Sequence, residues 1–96
     1  MHTLSQVISD LQNCKEELFP RYSIKRMGIF GSYARGEASE SSDLDVLVEL
    51  SQPIGLEFIT LADELEAKLN LKVDLLTFNS LKPSLRKYIE EDLIYV

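Results

Sequence analysis

Residues 24–50 read IKRMGIFGSYARGEASESSDLDVLVEL. Ile24–Phe30 predicts a short strand. Gly31 breaks it and opens GSYARG, because glycine turns the chain without a Cβ penalty. Glu37–Ser42 (EASESS) is small and polar, the composition of a loop. In the run that follows, Leu44, Val46, Val48 and Leu50 fall on one side of a strand and Asp43, Asp45, Leu47 and Glu49 on the other. The stretch is therefore strand, turn, loop and strand, with two carboxylates where the second strand begins.

Outward from this centre the periodicity changes. Leu4, Val7, Ile8, Leu11, Cys14 and Leu18 recur at helical spacing, with Thr3 or Ser5 as a cap and Pro20 as the expected end. After a turn at Gln52–Gly55, helical spacing returns through Leu56, Ile59, Ala62, Leu65 and Leu69, and Asn70 is the expected stop. Glu57, Asp63, Glu64, Glu66 and Lys68 fall largely on its wet side. Lys72–Phe78 (KVDLLTF) predicts a third strand. Ser80 and Pro83 open a last helix to about Glu91, and Leu93–Val96 is a candidate edge strand. The order αβ(α)βαβαβ predicts an α+β fold, an α/β sandwich with a small mixed sheet flanked by helices. No repeat or linker divides it, so residues 1–96 are expected to form one domain.

Composition narrows the chemistry. With 45% hydrophobic residues the chain can build a core, and a net charge of −6 opposes non-specific binding to nucleic acid or anionic membrane. Cys14 and His2 are the only residues of their kinds, which excludes an intrachain disulfide, a Cys-rich zinc site and a Ser-His-Asp triad within the chain. The start, MHTLSQVISDLQNC, has no basic region followed by a long apolar run, so a signal peptide is not expected. No apolar stretch approaches a membrane span. These features point to the cytoplasm.

The candidate site rests on three features: Gly31-Ser32 after the first strand, Asp43 and Asp45 ten residues further on, and Asp74 within the next strand. Side chains two apart on a strand share a face and lie about 7 Å apart. Two like charges so placed are costly unless a cation sits between them. Hard oxygen donors at that spacing suit Mg²⁺, which binds through one or two carboxylates plus substrate phosphates. The alternative is a loop aspartate followed by a strand-edge charge. Asp74, among Val73, Leu75 and Leu76, is less easily explained as a surface residue, since an unpaired buried carboxylate is costly. Gly31-Ser32 is either a plain turn or a phosphate cradle whose free N–H groups and hydroxyl face an anion.

Gly31-Ser32, ten residues, then Asp43-Leu44-Asp45 resembles the G-S-x10-D-x-D signature of the nucleotidyltransferase superfamily that includes DNA polymerase beta. GSYARGEASESSDLDVLVEL followed by KVDLLT resembles its minimal nucleotidyltransferase (MNT) family over nearly the whole chain. Tyr33 stands where phenylalanine is frequent, and all three acidic positions are filled. The resemblance implies the nucleotidyltransferase fold, with Asp43, Asp45 and Asp74 as catalytic metal ligands for two Mg²⁺ ions and Gly31 and Ser32 holding the triphosphate. It implies transfer of AMP from ATP to an acceptor hydroxyl, with Asp74 assisting deprotonation.

MNT proteins resemble the antitoxin half of two-gene systems, in which a tyrosine of a HEPN-domain ribonuclease toxin is adenylylated and silenced. A hetero-oligomeric complex with such a toxin is the implied assembly. Two other functions are considered: an antitoxin acting by occlusion, and nucleotide transfer to a small-molecule hydroxyl. Arg35 is either a nucleotide- or partner-binding residue or an exposed helix-end arginine. Lys82, Arg86 and Lys87 are either phosphate-attracting or a solvated face. Tyr88, Tyr95 and Phe58 are expected in the core or at its rim, and Cys14 as a small apolar residue.

Overall fold

Thr3 starts the first helix by accepting the Gln6 N–H on its Oγ1 at 3.1 Å. A computed structural model describes residues 2–96. Helix α1 (Leu4–Arg21) buries Val7, Leu11, Cys14 and Leu18. Burial pushes the Cys14 thiol up, which keeps it protonated and inert. Pro20 does not end the helix; it lies inside the last turn, and the Tyr22 N–H closes on Leu18 O at 3.0 Å. A proline removes one N–H and disfavours helix just before it. With only Arg21 beyond it that penalty is small, and the buried Leu18 and Tyr22 offset it.

Strands β1 (Ile24–Phe30), β2 (Leu44–Leu50), β3 (Val73–Thr77) and β4 (Ile94–Tyr95) form one sheet in the order β3-β2-β1-β4. β1 runs antiparallel to β2 and β4, whereas β2 and β3 are parallel, so the sheet is mixed. Helices α1 and α3 (Glu57–Leu69) close the main core over Ile24, Ile29, Leu44, Val46, Val48 and Leu75. On the opposite face Leu47 is fully buried against Phe78 and Ile89. These come from the 3₁₀ turn Phe78–Ser80 and from α4 (Pro83–Glu90), while α2 is the single short turn Gly31–Ala34. The alternation read in β2 is therefore correct, but both of its faces are covered at Leu47.

Helix α3 packs by a different stripe from the expected one. Leu56 lies outside the helix at 84% exposure and Ile59 is 61% exposed, while Leu61, Leu65 and Leu69 are buried and Phe58 is half-buried. Leu65 and Leu69 belong to either stripe, so spacing alone could not choose. Glu64 is also not on a wet face: it accepts from Tyr22 OH at 2.8 Å and Arg21 Nη2 at 2.7 Å, tying α3 to α1. Asn70 ends α3 in the left-handed conformation (φ 53°), as expected. Tyr88, at 67% exposure, is neither core nor rim; Tyr95 is 47% exposed and lies 5.1 Å from the Arg26 guanidinium. Among the described residues no helix is long and apolar enough to cross a membrane.

Candidate active site

Sheet register brings the predicted carboxylates together. Antiparallel pairing sets Phe30 opposite Asp45, and parallel pairing sets Asp45 opposite Asp74. The end of β1 and the starts of β2 and β3 thus share one edge, with directly paired strands about 4.8 Å apart. Paired residues point to the same face, so the Asp45 and Asp74 side chains stand side by side. Asp43, just before β2, lies two residues upstream of Asp45.

Gly31 meets this edge from β1. Its φ is +75°, and a Cβ built there would overlap Asp45 Oδ2 and lie 3.1 Å from Asp45 Cγ. The glycine therefore admits the carboxylate of this same chain, a role the sequence did not disclose. Gly31→Ala combines a left-handed alanine, costing roughly 1–2 kcal/mol, with displacement of Asp45. The expected result is a loss of about 2–4 kcal/mol in denaturant unfolding together with reduced nucleotide affinity.

Asp45 is half-buried, and its pKa is raised from 3.8 to about 6. Lost hydration is the largest cause; repulsion from Asp74 and then Asp43 adds to it, Arg35 opposes it, and the hydrogen-bonding contact with Asp74 adds a further upward push. Asp43 and Asp74 are exposed. Asp74 is thus not embedded among its apolar neighbours: Leu75 points into the main core, and alternation turns Asp74 outward. Among the described residues, no three His, Cys, Asp or Glu side chains are close enough to form a ready metal cage. The strained Asp45 beside Asp74 and Asp43 nevertheless fits a hard divalent cation that takes one or two carboxylates and leaves its other positions to phosphate and water.

The loop before β2 is fixed by its serines. The Ser39 N–H donates to Ser42 Oγ at 2.9 Å, and the Ser42 N–H donates to Ser39 O at 3.1 Å. The Leu44 N–H then donates to Lys72 O at 2.8 Å, joining the entries of β2 and β3. A cleft of about 460 Å³ opens beside Asp43, lined by Tyr33, Glu40, Ser41, Asn70 and Lys72 among others. A second cleft of about 420 Å³, lined by Ile54 and Phe58 among others, lies where β2 and β3 end, away from the carboxylates.

Arg35 follows α2 and is half engaged. Its Nη1 donates to Asp92 Oδ2 at 2.9 Å and its Nε to Glu37 Oε2 at 3.2 Å. It is a helix-end arginine, yet near enough to Asp45 to favour that carboxylate's ionised form.

Glu66 is a site residue that the sequence reading placed on a wet face. Its Oε2 accepts the Val73 N–H at 2.8 Å, pinning the backbone beside Asp74. The only signal was a glutamate seven residues ahead of Val73, across the Asn70 turn. Glu66→Ala leaves a half-buried N–H without an acceptor, a cost of about 1–3 kcal/mol. The expected result is a lower melting temperature and a several-fold loss of turnover, with Glu66→Gln, which keeps an acceptor oxygen, restoring most of both.

Residues 9–96 match the family described as Nucleotidyltransferase domain. The chain belongs to this family. The relative named protein adenylyltransferase MntA, from Thermococcus cleftensis, is 44% identical over 97 residues, covering 100% of this chain and 98% of its own. A solved structure provisionally assigned as a minimal nucleotidyltransferase superposes with a TM-score of 0.83 at 33% identity, covering 97% of this chain and 95% of that one. With these relatives, this nucleotidyltransferase is placed among the minimal members of its family. Its fold also matches a chain in the complex of a tri-AMPylated Shewanella oneidensis HEPN toxin with an MNT antitoxin, with a TM-score of 0.69 at 19% identity over 93% of this chain and 70% of that one. At that identity the likeness concerns the fold alone.

Proposed function

We propose that residues 1–96 act as one minimal domain, an Mg²⁺-dependent protein adenylyltransferase of the cytoplasm that serves as an antitoxin. Its substrate is ATP and its acceptor is a tyrosine of a HEPN-domain toxin, held in a hetero-oligomeric complex. The observation that carries this reading is the packing of Asp45 against Gly31 between the charges of Asp74 and Asp43. MntA and the AMPylated HEPN complex support the choice of reaction and partner.

In this reading Asp43, Asp45 and Asp74 would hold Mg²⁺, which when bound would supply neutralising charge to the triphosphate and the attacking oxygen. Gly31, Ser32 and the first turn of α2 orient the β- and γ-phosphates, and Arg35 adds positive charge nearby. The tyrosine oxygen forms a bond to the α-phosphorus, the bond to the β-phosphate bridging oxygen breaks, and pyrophosphate leaves. Asp74, exposed on the sheet face, accepts the phenolic proton and passes it to solvent. Most of the acceleration comes from positioning and electrostatic stabilisation.

The test is transfer of label from α-labelled ATP to a co-expressed HEPN-domain protein. Labelled tyrosine supports the reading. Full neutralisation without label would favour occlusion, and label passing only to small-molecule hydroxyls would favour the third function.

A further inference from the structure

Helix α4 is poorly covered for an element that closes a core. Of Pro83–Glu90 only Ile89 is buried. Leu85 and Tyr88 are 51% and 67% exposed, and their spacing of three places them on one outward stripe. From Leu81 to Tyr88 the chain carries Lys82, Arg86 and Lys87 and no acid, although the whole chain has a net charge of −6; the exposed Glu90 and Glu91 follow at the end of α4. Arg86 is occupied, its Nη2 donating to Phe78 O at 2.9 Å. The ion pairs among the described residues use Arg21, Arg26, Arg35 and Lys68, leaving Lys82 and Lys87 without a carboxylate. The result is an apolar stripe framed by two free ammonium groups.

Its position links it to the candidate site. Ile89 packs on Leu47, two residues along β2 from Asp45 on the same sheet face. The Arg35–Asp92 pair, at 2.9 Å, fastens the end of α4 to the segment following Gly31-Ser32. A macromolecule seated on α4 would therefore lie beside the carboxylate edge.

We propose that the outer face of α4 docks the acceptor protein, through a surface segment of that protein carrying carboxylates around an apolar side chain. This inference rests on the function proposed above. The charge pattern selects the occupant. A polyanion such as RNA would meet the repulsion of the acidic chain and make no use of Leu85 and Tyr88. A second copy arranged about a two-fold axis would set basic patch against basic patch. An acidic, apolar-centred protein surface satisfies both halves of the stripe, with the apolar centre supplying affinity and the charges steering encounter.

The experiment measures capture of a co-expressed HEPN-domain acceptor by calorimetry and, in parallel, AMP transfer to it. It uses wild type, Lys82→Glu with Lys87→Glu, and Leu85→Ala with Tyr88→Ala. All four positions are exposed, so thermal melts and Mg²⁺-ATP binding should match wild type. Each pair is expected to weaken capture and raise the acceptor KM at least ten-fold with kcat unchanged, the charge-reversal pair losing its salt dependence as well. Wild-type capture by both variants would overturn the proposal, as would no capture by wild type. It would also be overturned by poly(U) binding that disappears on charge reversal, or by dimers that disappear in the Leu85/Tyr88 pair. Capture weakened by the variants without any AMP transfer would refute the catalytic function while supporting the docking face.

Discussion

Asp45→Asn is expected to raise the melting temperature of the metal-free chain by about 5–10 °C while abolishing AMP transfer. The side chain keeps its shape, so its packing against Gly31 is retained and only the charge disappears. The rise in the Asp45 pKa from 3.8 to about 6 amounts to roughly 3 kcal/mol by simple conversion. A half-buried group is partly screened, so about 1–2 kcal/mol is a fair expectation, and a domain of this size gains roughly 4–8 °C per kcal/mol. The folded chain holds this proton more tightly than the unfolded chain does. Stability should therefore fall as pH rises from about 4 to about 6 and then level off, the Asp45 charge being fully present above that range. The asparagine variant should lack that fall, and below about pH 4 the two proteins should melt together. Differential scanning calorimetry across that range, in chelator, checks it. The D-x-D spacing alone does not distinguish Asp43 from Asp45. The fold distinguishes them, because Asp45 lies within the sheet against Gly31 and Asp43 is exposed in the loop.

Asp43→Ala combined with Asp45→Ala should lower AMP transfer at least 10³-fold, equivalent to about 4 kcal/mol of transition-state stabilisation. The expectation follows from the proposed donor set: Asp43 and Asp45 are two of the three carboxylates assigned to the cation, which binds through one or two carboxylates plus substrate phosphates. Steady-state transfer from α-labelled ATP gives the rate, and a melt in chelator gives the control. Removing the Asp45 charge should leave the double variant at least as stable as wild type, so lost activity could not be assigned to unfolding. A toxin still neutralised at full strength by this variant would assign the protection to occlusion.

Much of the centre of the molecule was legible in the sequence. β1 and β2 lie where the sequence predicts strands, and parallel register sets Asp45 opposite Asp74, while Asp43 lies in the loop just before β2. Four features were not legible. The stripe of α3 was ambiguous because Leu65 and Leu69 fit two registers, and only packing into the main core selects Leu61 over Ile59. The role of Gly31 depends on a long-range contact with Asp45, whereas a sequence suggests only that a turn is needed. Glu66 looked solvated because its acceptor role involves a backbone N–H in the next strand, invisible to side-chain periodicity. The exposure of Tyr88 was likewise hidden: an aromatic residue suggests burial, but α4 buries only Ile89.

Titration calorimetry of ATP into the metal-free chain, with Mg²⁺ and then with chelator, examines the carboxylate edge most directly. The expected result is uptake that requires Mg²⁺ and vanishes in Asp43→Ala with Asp45→Ala. Equal ATP uptake in chelator, or undiminished uptake by the double variant, would contradict a site built on those side chains.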